Sequence, residues 1–167
     1  MPALERPVPA LGRLVRRIGH SRWFAACTPL VVPADRLVAR LTRGRVIALG
    51  MVPSLLLTTT GRRSGQPRST PLLAVPDGDG YVVVGSNWGR SEHPAWTLNL
   101  LAHPAATVTV GGREIPVQGR LAEGAERDRL WRLLVAEWPA YQTYVNRAGG
   151  RELRVFRLEP RQRVEPG

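Results

Sequence analysis

Lysine is missing from this chain: all 24 of its basic side chains are arginine. The skew fits a GC-rich coding sequence better than a function. Against 13 acids, the arginines leave a formal net charge of +11. A surplus of that sign suits nucleic acid, anionic lipid or an acidic small ligand. Nucleic-acid binding also calls for a recognition helix, zinc fingers or aromatics interleaved on a basic sheet. The sequence shows none of these, so nucleic acid is not an expected partner. Cysteine occurs once, at Cys27, which excludes an intrachain disulfide and suits a reducing cytoplasm. Phe24-Ala25-Ala26-Cys27 has the form of a lipoprotein cleavage site, but Arg16, Arg17, His20 and Arg22 interrupt the apolar run that a signal peptide needs. No stretch approaches the ~18 consecutive apolar residues of a spanning helix.

Catalytic equipment of the chain's own is equally scarce. His20, His93 and His103 show no metal-ligand spacing, so no metal is expected, and His93 reads as a helix-start residue. Gly61-Arg62-Arg63-Ser64-Gly65 is not the G-x-S-x-G nucleophile elbow. The phosphate loop G-x-x-x-x-G-K-[ST] is absent. Cys27 has no placed base, and no motif pairs two acids. Such a chain is either a binding module or an enzyme that takes its chemistry from a cofactor.

What is present centres on residues 55–99. Leu55, Leu57 and Thr59 alternate with Leu56, Thr58 and Thr60, a period of two that predicts a strand. Gly61, Gly65 and Pro67 break it. A second apolar run covers Thr70 to Val75, Pro76-Asp77-Gly78-Asp79-Gly80 is a turn, and Tyr81 to Ser86 is a third strand. Three antiparallel strands would then present two loops, one basic and one at Ser86-Asn87-Trp88-Gly89-Arg90. In the first loop, glycines let N–H groups converge on an anion. Arg62, Arg63 and Arg68 add fork-shaped donors for phosphate or carboxylate, and Ser64 adds a hydroxyl. The alternative is a solvated hairpin tip.

Elsewhere, residues 10–19 predict a short basic amphipathic helix, and residues 33–42 a second helix, with an edge strand at 45–49. Pro94 to Ala102 reads as a helix with Trp96 and Asn99 on one face. Thr107–Val110, a Gly111-Gly112 turn and Arg113–Leu121 form a hairpin, with Pro116 demoting its second strand to an edge or bulge. Helices follow at 125–138 and 140–146, then a closing strand at 152–158. The 167 residues are enough for one domain with a core. Antiparallel strands with inserted helices favour an α+β, mainly β barrel over a doubly wound sheet.

The segments TTTGRRSGQPRSTPL and GSNWGRSEHPAWTLNLLAHP resemble the deazaflavin-dependent nitroreductase and quinone-reductase family of actinobacteria. The resemblance runs from about Gly44 to Pro160. It implies a split β-barrel, FMN-binding split-barrel-like, that binds reduced coenzyme F-420, a 5-deazaflavin with a phospholactyl-oligoglutamate tail. It implies domains at 1–43 (N-terminal helical extension), 44–160 (barrel) and 161–167 (tail). The tail of the coenzyme would lie on Arg62, Arg63 and Ser64, with Arg68 nearby. Pro71 and Leu72 would line the ring plane, Ser86, Asn87, Trp88 and Gly89 would meet its polar edge, and Trp96 and Asn99 would complete the pocket. Trp138, Tyr141 and Tyr144 would face the acceptor, with Tyr141 the first choice and Tyr144 the second as hydrogen-bond or proton donor. By spacing alone, these three read as an aromatic core stripe. Two departures stand out: Asn87-Trp88 replaces Lys-Gly or a small residue, and Leu153-Arg154 replaces Ile-Pro. The acceptors implied are quinones and nitroaromatics. The alternatives are an FMN-binding reductase of the same fold or a non-catalytic coenzyme carrier. A cytoplasmic protein is expected, with residues 10–24 either packing on the barrel or touching the inner face of the membrane. The natural acceptor and the oligomeric state are not legible.

Overall fold

The computed structural model describes residues 54–161. The expected helices at 10–19 and 33–42, the edge strand at 45–49, Cys27 and His20 lie outside them. The described chain runs β1 (Ser54–Thr60), β2 (Pro67–Leu73), β3 (Val75–Asp77), β4 (Gly80–Val84), a 3₁₀ turn (Asn87–Gly89), α1 (Ala95–Ala102), β5 (Ala105–Val110), β6 (Arg113–Leu121), α2 (Gly124–Glu137), α3 (Ala140–Arg147) and β7 (Val155–Pro160). The strands form one antiparallel sheet of order β2-β1-β5-β6-β7-β4-β3. It curls until β2 approaches β4, which is the expected split barrel. Leu55, Leu57, Val83, Val108, Val117, Phe156 and Leu158 fill its inside, together with Trp96 and Leu100 of α1. Helices α2 and α3 pack Leu130, Leu134, Tyr141 and Tyr144 on the outer face of β4 and β7.

Two expectations need correction. The strands around the first loop do not form one three-stranded unit. β1 pairs with β2, whereas β4 pairs with β3 and β7. Pro76 and Asp77 of the expected turn belong to strand β3, and Gly80 lets β4 close on β7, since a Cβ there would lie 2.5 Å from the Leu158 carbonyl oxygen. The second correction concerns Pro116, which sits in an interior strand, between β5 and β7. Its C=O accepts from Arg161 N at 2.9 Å. A residue's N–H and C=O point to the same side of a strand, so the missing donor faces the β7 side where β7 runs out. The ladder forgoes one bond there, the reciprocal one to the Arg161 carbonyl, at its last rung.

Register decides where the loops go. Thr59 lies opposite Ala106, Ala105 opposite Gln118, Leu121 opposite Phe156, and Val84 opposite Val155. The end of β1, the start of β5, the end of β6, the start of β7 and the end of β4 therefore share one end of the sheet. All three helices and both special loops hang from that end.

At the other end, Asp77 ties the layers together. Its carboxylate accepts from Arg129 Nη1 and Nη2 of α2 at 2.7 and 2.9 Å and pairs with Arg157 Nε of β7 at 3.3 Å. The Arg129 hydrogen bonds hold Asp77 below the usual carboxylate range. A depressed value means stability that is present above the unfolded pKa of about 4 and lost as pH falls through the folded one. Asp77→Asn is expected to cost about 1 kcal/mol at neutral pH, the upper end for such pairs because one carboxylate serves two arginines. The difference from wild type should vanish in acid. Urea unfolding at the two pH values measures it, and an equal loss at both would point to packing instead.

Candidate functional site

The basic loop is a closed turn. Gly61 N donates to Gln66 O at 2.8 Å and Gly65 N to Gly61 O at 2.7 Å. Gly65 has a φ of +65°, and a Cβ on Gly61 would meet Ser64 Oγ at 2.8 Å. Ser64 Oγ accepts from Gln66 N at 3.3 Å, which leaves the hydroxyl hydrogen to donate. Arg62, Arg63, Ser64 and Arg68 are all exposed. Among the described residues, none of the three guanidiniums is in a salt bridge.

Helix α1 pins this loop. Asn99 Oδ1 accepts from the backbone N of Arg62 at 3.1 Å, and Asn99 Nδ2 donates to Thr59 Oγ1 at 3.0 Å. Asn99 and Thr59 are buried. The side chain of Asn99 is thus committed to holding the loop. Trp96, three residues earlier, packs in the interior against Phe156, with ring centroids 5.6 Å apart.

The second loop is built on backbone strain. Asn87 and Trp88 both have positive φ, 46° and 58°, and Gly89 follows at 76°. Left-handed geometry costs a non-glycine residue roughly 1–2 kcal/mol. Asn87 Nδ2 donates to Glu92 O at 2.9 Å, and Gly89 N to Ser86 O at 2.9 Å. The strongest clamp is a residue that the sequence did not single out. Arg151 donates from Nε to Arg90 O at 3.0 Å, from Nη1 to Gly85 O at 3.0 Å and from Nη2 to Ser86 O at 2.8 Å. One guanidinium therefore grips both sides of the turn. No periodicity or motif could have marked it among so many arginines, since its partners lie 61–66 residues away.

Both loops meet the same helix. A Cβ on Gly85 would lie 2.6 Å from Thr97 Cγ2 of α1, while Asn99 holds Arg62 one half-turn further on. On its other side the second loop packs on α3, where a Cβ on Gly89 would meet Tyr144 O at 3.0 Å. Trp88 and Tyr144 lie edge to face at 6.1 Å, as do Tyr144 and Tyr141 at 6.0 Å, and the Tyr141 and Trp131 rings are tilted to each other at 6.2 Å. Trp138, Tyr141 and Tyr144 are buried. Burial raises both phenols above the ordinary tyrosine value, with a hydrogen bond from Trp138 drawing Tyr144 partly back. Burial, with the charges of Arg154 and Arg151, holds His93 below its usual value, so its imidazole is neutral at physiological pH.

The structure thus brings Trp88, Gly89 and Tyr144 into one cluster and joins Asn99 to the basic loop. It separates Pro71 from Leu72: neighbours on a strand face opposite sides, and Leu72 packs on the interior cluster. A hollow of about 320 Å³ between α1 and β6, lined by Leu101, Pro104, Gln118, Arg120 and Glu159 among others, contains none of the expected ligand residues.

Exposed forks on a glycine-closed turn suit a polyanionic tail, and a rigid loop beside buried aromatics suits a flat ring. Comparison with known proteins agrees. The profile of a family described as F420H(2)-dependent quinone reductase matches residues 34–160. An F420H(2)-dependent quinone reductase of Mycobacterium tuberculosis is 38% identical over 101 residues, which cover 58% of this chain and 68% of that protein. A solved structure described as an F420-H2 dependent reductase shares 37% identity at a TM-score of 0.59, over 64% of this chain and 94% of its own. Another, described as a domain-swapped dimer, shares 32% identity at a TM-score of 0.61, over 78% of this chain and 99% of its own. This chain belongs to the F420H(2)-dependent quinone reductase family.

Proposed function

We propose that the two loops on α1 hold reduced coenzyme F-420 and that the α3 aromatics receive the quinone. The observation that carries this is the bond from Arg62 N to Asn99, because it fixes the basic loop to the helix that also seats Gly85. When bound, the reduced deazaflavin supplies a hydride from its ring carbon C5. The chain's own residues bind and orient. Arg62 and Arg63, with Ser64 and Arg68, hold the anionic tail. Ser86, Asn87, Trp88 and Gly89 meet the polar edge of the ring from a loop that Arg151 has already ordered, which lowers the entropy lost on binding. Pro71 and Leu72 supply apolar surface on either side of the edge strand. Trp96 and Asn99 act from beneath, by packing and by anchoring. Trp138, Tyr141 and Tyr144 exclude water, and the phenols of the two tyrosines, kept protonated by burial, donate a hydrogen bond to the acceptor oxygen as negative charge develops there. Nitroaromatics present a similar oxygen and are accepted on the same grounds. A fluorescence titration tests the cofactor: binding of coenzyme F-420 well below the concentration at which FMN binds is expected, and preference for FMN would refute it.

The coenzyme-binding unit runs from 44 to 160, with 1–43 an extension and 161–167 a tail. Among the described residues no helix is long and apolar enough to cross a membrane. Residues 10–24 carry Arg13, Arg16, Arg17 and Arg22 beside Leu11, Leu14, Val15 and Ile18, a pattern suited to anionic lipid. Deleting them should abolish co-sedimentation with anionic vesicles while turnover survives. Loss of folded protein would assign them to packing.

A further inference from the structure

A second cluster of positive charge lies behind the Gly85–Gly89 loop. Arg154 Nη1 is buried and has no hydrogen-bond partner. Arg157 Nε is in the same condition, but the Asp77 carboxylate stands 3.3 Å from it. Among the described residues no carboxylate is within salt-bridge distance of Arg154. The backbone of Gly85 gathers the cluster: its N donates to Arg154 O at 2.8 Å, and its O accepts from Arg151 Nη1 at 3.0 Å. The same Nη1 lies 3.4 Å from His93 Nδ1. We propose that Arg154, Arg151 and His93 form an oxyanion subsite that takes a carboxylate or phosphate group.

The roles divide by what each side chain has left to give. Arg151 spends Nε, Nη1 and Nη2 on three carbonyls, so it contributes charge. Arg154 contributes an open donor. His93, with Nδ1 facing an arginine, contributes its Nε2–H. Burial chiefly, and then the charge of Arg154, depresses both Arg151 and His93. Glu92, the acid that acts on Arg151, is exposed and leaves Arg154 unanswered. Buried polar atoms without partners are rare in folded proteins, and Arg154 Nη1 is one. An oxyanion is the chemical complement of the open Arg154 donor and the His93 N–H, with the Arg151 charge beside them.

Two sources supply this chemistry, the carboxylates of the coenzyme tail and free phosphate, and only the first rests on the coenzyme assignment. The test uses the full chain in phosphate-free buffer at constant ionic strength. Inorganic phosphate should raise the melting temperature of the wild type saturably, by about 2–4 °C, and move the His93 Hε1 resonance with the same midpoint. R154M should leave the His93 resonance unmoved and gain clearly less stability than the wild type, the remainder coming from the exposed Arg62–Arg63 loop. Equal stabilisation of both proteins, or an unmoved His93, overturns the subsite. Should R154M not fold, the wild-type His93 titration decides alone by the same criterion. Added to phosphate-loaded protein, intact coenzyme that displaces phosphate where the tail-less deazaflavin does not would identify the tail as the source. Failure of both to displace it would assign free phosphate, with the subsite standing.

Discussion

Replacing Arg62 and Arg63 together by alanine is expected to weaken binding of coenzyme F-420 by about 10²-fold or more while the melting temperature stays within about 2 °C of wild type. Each charge-assisted contact contributes ~1.5–3 kcal/mol, and two of them reach that range even if they overlap. The fold is spared because both side chains are exposed. The bond that shapes the loop uses the backbone N of residue 62, which alanine retains. Removing the charges should also flatten the salt dependence of binding. Fluorescence titration at two salt concentrations measures both effects. Unchanged affinity would reduce the loop to a solvated hairpin.

The second large effect concerns the phenols. Tyr144→Phe and Tyr141→Phe should leave coenzyme affinity intact and lower turnover by about 10²-fold, the low end for a positioned donor. Sequence reasoning ranks Tyr141 first. The contact of Tyr144 with Trp88 argues for a larger effect at Tyr144, because Trp88 belongs to the loop proposed to meet the ring and Tyr141 stands one ring further back. A raised phenol pKa means that the protonated donor persists as pH rises toward and past the ordinary value of about 10. The step that these donors serve should therefore be insensitive to pH through the neutral and mildly alkaline range. A tyrosine that only packs against Leu130 and Leu134 would instead lose stability on substitution and keep its turnover number.

Local rules carried much of this structure. The period of two placed β1, the Gly111-Gly112 turn placed the β5–β6 hairpin with φ of 56° and 81°, and proline at the start placed α1. Loop chemistry picked out Arg62 to Ser64, and the structure places them exposed on a closed turn. What stayed hidden depends on partners far apart in the chain. The separation of β4 from β2 follows from its pairing with β7, some 70 residues on. Asn99 reaches back 37 residues to the basic loop, and Arg151 reaches back 65 and 66 residues to Ser86 and Gly85. A side chain whose task is to hold a distant backbone leaves no pattern around itself. The strain at Trp88 is the converse case: asparagine tolerates positive φ, but nothing in a tryptophan hints at it, and the surrounding clamps impose it.

The central claim is hydride transfer from reduced coenzyme F-420 to a quinone at this site. Anaerobic mixing of the protein with reduced coenzyme and menadione, following the return of the oxidised deazaflavin's absorbance, tests it most directly. The account predicts repeated turnover that requires both protein and menadione and saturates with each. Tight coenzyme binding with no menadione-dependent oxidation would contradict it and leave a carrier.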